Sequence, residues 1–124
     1  MDNSFKDDER LFRAVYPPEH PGMFWKEDGS LSPSAFVSRN GACSVDRGNY
    51  RDSRIVIEDM KSRFKGCIVS VGVGDCRNSE AVVKYSPTTN IYHSEIYGAE
   101  DVVKLTRKQR TELARVAKKE YMGE

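Results

Sequence analysis

Between residues 67 and 73 the chain reads Cys-Ile-Val-Ser-Val-Gly-Val, with one polar side chain, Ser70. A short apolar run of this kind predicts a central strand covered on both faces. Ala81-Val82-Val83-Lys84-Tyr85 predicts another strand, ended by Ser86-Pro87, and residues 90–98 predict a third. Elsewhere the period lengthens to that of a helix. From Asp52 to Lys65, Ile57, Met60 and Phe64 fall on one stripe, Asp52 or Ser53 can cap the start, and Gly66 supplies a stop. Thr106-Arg107-Lys108-Gln109 spells a capping box, with Leu113, Val116, Ala117 and Tyr121 as the stripe behind it.

The first third is less regular. Leu11, Phe12, Val15 and Tyr16 fit a short helix or a strand, and Pro17-Pro18 ends either one. Residues 17–33 form a Pro- and Gly-rich loop whose aromatics Phe24 and Trp25 can lid the core or serve a function. Ala35-Phe36-Val37 and Ala42-Cys43-Ser44-Val45 predict a hairpin around Arg39-Asn40-Gly41, since Asn-Gly favours the turn twist that hairpins need. Residues 1–9 are polar and expected to fray. Strands mixed with helices, without a βαβ alternation, predict an α+β fold: a single small mixed sheet packed by two main helices. At 124 residues the chain is expected to be a single domain.

Charge narrows the partners. Lys plus Arg number 20 against 19 acidic residues, so the whole chain favours neither a polyanion nor a membrane surface. The distribution is uneven: residues 104–119 carry seven bases and one acid, Glu112. Arg107, Lys108 and Arg110 could track a phosphate backbone, but Tyr121 is the only interleaved aromatic, and tight nucleic-acid binding is not expected. Cys43, Cys67 and Cys76 form no Cys-x-x-Cys pair, so the expectation is reduced thiols in a cytoplasmic protein, without disulfides or a structural metal. No apolar leader or stretch of about 20 apolar residues is present, which predicts a soluble chain. No cofactor is expected, because Gly72-Val73-Gly74-Asp75 lacks both the third glycine of a dinucleotide fingerprint and the Gly-Lys-Ser/Thr of a P-loop.

The candidate chemistry lies in the late strand. Strand alternation puts His93, Glu95 and Tyr97 on one side, roughly 7 Å apart in Cα. Histidine changes charge near neutral pH, and a neighbouring carboxylate can orient it. Ser44, Asp46 and Arg47 end the expected hairpin with groups that hydrogen-bond or carry charge. Arg13, if on a strand, shares a face with Leu11 and Val15, where a half-buried guanidinium requires a carboxylate or a bound anion; Glu95 or Asp46 would serve.

Arg10-Leu11-Phe12-Arg13, Ser32-Pro33-Ser34-Ala35-Phe36, Ser44-Val45-Asp46-Arg47 and Asn90-Ile91-Tyr92-His93-Ser94-Glu95-Ile96 resemble, in that order, a family of small uncharacterised prokaryotic proteins. The resemblance implies no reaction, and it favours a strand over residues 11–15. The order Arg13, Ser44, Glu95 is also similar to ADP-ribosyltransferases of the Arg-Ser-Glu type, which place an arginine on the first strand, a serine on a middle strand and a glutamate late. Their Ser-Thr-Ser and Glu-x-Glu signatures are missing here, and the chain is short for that fold.

The expected function is therefore a small binding module that holds a polar or anionic ligand, or a protein partner, in a polar pocket. Arg13, Ser44, Asp46, Arg47 and Tyr97 would be its ligand-binding groups. The alternative is a metal-independent nuclease or an ADP-ribosyltransferase-like toxin, with His93 and Glu95 as catalytic groups beside an arginine.

Overall fold

The computed structural model describes residues 4–19, 24–38, 41–88 and 90–123. Six strands make one sheet: β1 (Arg10–Val15), β2 (Cys43–Arg47), β3 (Cys67–Gly72), β4 (Val82–Tyr85), β5 (His93–Tyr97) and β6 (Lys118–Tyr121), in the order β4-β5-β2-β1-β3-β6. Three helices accompany them: α1 (Ser53–Lys61), α2 (Val73–Asn78) and α3 (Arg107–Val116). The fold is α+β, as the sequence implies. Every pairing is antiparallel, where a mixed sheet was expected, because no two neighbouring strands are joined by a helical crossover that runs them the same way.

Burial separates the two faces of the sheet. On one, Phe12 and Ile68 meet Val56 and Met60 of α1. On the other, Leu11, Val45, Val69, Val71 and Ile96 form the larger core beneath Phe36 and Leu113. All six residues of β3 are buried, as its nearly continuous apolar sequence requires, although the strand lies second from the edge. Phe12 and Ile68 place the α1 contact on the β1–β3 part of its face. Further along that face, toward β4, Ser44 is exposed and Lys84, Glu95 and Tyr97 are half-buried.

Several expectations change. The final helix stops at Val116, and Lys118–Tyr121 becomes β6, pairing with the outer edge of β3. That edge would otherwise leave the ladder groups of a buried strand unpaired, a cost that outweighs helical periodicity. Pro33–Phe36 is a short 3-10 helix capped by the Ser32 hydroxyl, not a strand. The Arg39-Asn40 part of the expected turn lies outside the described residues. The glycines after β3 open α2, whose start is fixed by the Asp75 carboxylate accepting the Gly72 N–H at 2.8 Å. α1 ends at Lys61, so Phe64 falls outside it and is exposed, while Val56 joins Met60 on the buried stripe. Gly66 has φ +108 and a Cβ there would stand 2.5 Å from the Val15 carbonyl, so both conformation and space demand glycine.

The described part of the start of the chain is packed against the rest of the fold. Phe5 is buried, its carbonyl accepts from Arg77 at 2.9 Å, and Glu9 is almost wholly enclosed. In the loop, Trp25 is buried and donates its indole N–H to the Tyr16 carbonyl at 2.6 Å, so this aromatic lids the core. No helix among the described residues is long and apolar enough to cross a membrane.

Candidate functional site at the fork between β1 and β2

β1 stays paired with β3 along all six of its residues, but with β2 only at Leu11↔Arg47 and Phe12↔Asp46. Beyond those pairs β2 follows β5, so β1 and β2 diverge. Arg13 fills the fork. Its Nε donates to the Ala35 carbonyl at 2.7 Å, Nη1 to the Ser44 carbonyl at 2.7 Å and Nη2 to the Val37 carbonyl at 3.1 Å. The partner this half-buried guanidinium needs is thus three backbone oxygens, not a carboxylate.

Across the β2–β5 ladder, Ser44 stands opposite Glu95 and Asp46 opposite His93. Strand alternation keeps these four residues on the face that α1 partly covers. Asp46 and Arg47 continue β2 and do not form a turn. Asp46 is 4% exposed. One carboxylate oxygen takes a 2.5 Å hydrogen bond from Arg63, and the other has, among the described residues, only the Asn90 amide, at 3.5 Å. Arg63 also bonds Asp59 at 3.1 Å.

The His93 ring is oriented by the backbone. Its Nδ1 lies 2.6 Å from the Ser86 carbonyl oxygen, which can only accept, so Nδ1 carries the proton. Nε2 is then the acceptor nitrogen, without a hydrogen-bond partner among the described residues.

Arg13, Ser44, Asp46, Arg63, Asn90 and His93 border a cleft of about 180 Å³, walled on its apolar side by Phe12, Met60 and Phe64. Glu95 faces Ser44 but does not line the cleft. Tyr97, one step further along β5, lies beneath the Lys84 ammonium at 4.4 Å. Arg47 projects from the other face. It is locked to Glu9 by hydrogen bonds of 2.7 and 2.8 Å, bonds the Ser4 carbonyl, and sits over the Phe5 ring at 4.1 Å.

Two members of the cleft escaped the sequence reading. Arg63 carries no distinguishing signal, since a basic residue four positions after Asp59 is ordinary surface pairing. Asn90 carried a signal: its side chain accepts from the Tyr92 N–H at 2.8 Å, the local turn to which asparagine is suited, and that turn precedes His93.

No group of three His, Cys, Asp or Glu side chains is placed to hold a metal among the described residues. The three cysteines are free and buried. Burial pushes the Cys43 thiol up, and burial with Cys43 nearby pushes Cys76 to about 12. Neither is a nucleophile at neutral pH. Comparison with protein-family models, with curated proteins and with solved structures gives no match.

Proposed function

We propose that this chain is a small binding module whose cleft at the β1–β2 fork receives the hydrogen-bond-donating end of a polar ligand. The observation that carries this reading is the cross-strand pair Asp46–His93. Among the described residues, a buried carboxylate oxygen with one stretched partner and an imidazole nitrogen with none line the same cleft. Acceptors short of donors in a cleft gain free energy from a donor that replaces water. An anion is disfavoured there, because Arg47 is turned away and Arg13 spends three donors on carbonyls. The cleft admits a ring-sized group over its Phe12–Met60 wall, and a larger ligand or a protein partner would extend over the open part of the sheet. Three free thiols fit a reducing, cytoplasmic setting.

One observation favours an enzymatic version of the same site. Arg13, Ser44 and Glu95, far apart in sequence, are contiguous in space: Arg13 donates to the Ser44 carbonyl and Ser44 pairs with Glu95. This is the set on which the resemblance to Arg-Ser-Glu ADP-ribosyltransferases rests. His93 stands two residues before Glu95, where the Glu-x-Glu signature has its first glutamate. A nicotinamide ring suits the cleft, since its carboxamide brings N–H donors for the weakly bonded Asp46 oxygen and for His93 Nε2.

Titrating the protein with NAD and with nicotinamide, read by amide NMR shifts and melting temperature, tests both versions. Binding should perturb Ser44, Asp46 and His93 and fade in Asp46→Asn and His93→Phe variants. Saturable shifts elsewhere, with these residues silent, would remove the fork cleft as the site. If NAD is also cleaved, Glu95→Gln should abolish turnover and keep binding. Binding of NAD without any cleavage leaves the module reading and sinks the transferase.

A further inference from the structure

On the opposite side of the sheet, a cavity of about 300 Å³ lies between the segment that follows the 3-10 helix and the start of α3. Its floor is apolar and buried: Phe36, Cys43 and Leu105. Among the described residues its polar border consists of Ser38, Lys104 and Arg110, and no carboxylate lines it.

Arg110 is the anomaly. Among the described arginines, every one except Arg107 and Arg110 has a carboxylate, hydroxyl or carbonyl partner. Arg107 is exposed. Arg110 is half-buried against the cavity, with no side-chain partner among the described residues. Taking a guanidinium partly out of water without a counter-charge is unfavourable, and Lys104 beside the same cavity adds to the positive potential. The capping box of α3 is already closed by Thr106 and Gln109, so the uncompensated charge belongs to the side chains and not to the helix end.

We infer that this cavity binds a small organic anion, its carboxylate or phosphate held by Arg110 and Lys104 and its apolar body resting on Phe36 and Leu105. A guanidinium meets either headgroup with paired N–H bonds. The volume is at the lower end of ligand pockets, which selects a single ring or short chain over a nucleotide. This site is separate from the fork cleft and shares no lining residue with it.

Amide NMR titrations with phenyl phosphate, benzoate and inorganic phosphate supply the test. Phenyl phosphate or benzoate should give saturable shifts at Ser38, Leu105 and Arg110 and bind more tightly than inorganic phosphate, because the ring buries apolar surface. Arg110→Gln should weaken binding at least tenfold, and Arg107→Gln, on the same helix but outside the cavity, should leave it unchanged. Lys104→Gln provides a second variant, on a residue exposed enough to leave folding untouched. Equal losses in the Arg107 and Arg110 variants would mean a diffuse field and overturn the site. Absence of any saturable shift would overturn it too. So would tighter binding of single-stranded DNA that depends on Arg107, Lys108 and Arg110 together, since the basic helix would then serve a phosphate backbone.

Discussion

Arg47 and Glu9 form a two-pronged ion pair in which the side chains are only 3% and 1% exposed, tying the start of the chain to the end of β2. The Phe5 and Tyr85 rings approach the guanidinium, and Glu9 also accepts the Asn49 N–H at 3.1 Å. Breaking such a pair leaves an uncompensated buried charge. Glu9→Gln or Arg47→Met alone should therefore cost about 3–5 kcal/mol in urea unfolding, and the double variant should recover much of the loss. A single-variant loss under about 1 kcal/mol would show that the pair is hydrated in solution.

Val71 is 1% exposed in the strand that both core clusters share. Val71→Asp should abolish cooperative melting, because an unpaired buried carboxylate costs several kcal/mol, comparable with the stability of a whole domain. A Val71→Asp protein with native circular dichroism and a sharp transition would contradict the placement.

The cysteines carry a pH dependence. Burial raises the Cys43 thiol, and Cys76 rises from 9.0 to about 12. In the unfolded chain these thiols ionise near ~8.5, while the folded protein keeps them protonated. The Cys76 contribution is thus fully present below that pH and is lost as pH rises toward about 12, and Cys43 acts in the same direction. Urea midpoints should fall between pH 7.5 and 9.5 in the wild type and fall less in Cys76→Ala. A thiol reagent should label the native protein slowly and the denatured protein completely.

The Ser86 carbonyl fixes the His93 tautomer. Nitrogen NMR at a pH where the ring is neutral should show a protonated Nδ1 and a bare Nε2. The opposite tautomer would remove Nε2 as an acceptor in the cleft and weaken the functional reading with it.

Local chemistry alone determined the strand around Val69, the cap and start of α3, and the shared face of His93 and Glu95. Each follows from spacing within a few residues: a nearly continuous apolar run, Thr106 three before Gln109, and alternation along β5. Whatever depended on a distant edge or partner was decided only in three dimensions. Lys118–Tyr121 is a strand because β3 offers it a ladder, although Tyr121 keeps the period of the preceding helix. The arginines needed partners in either view. The fold assigned Glu9 to Arg47 and three carbonyls to Arg13, so neither forks an anion at the fork cleft. That cleft exists because β1 must satisfy β3 along its whole length and releases β2 after two pairs, a competition for hydrogen bonds between strands that spacing within one segment does not encode.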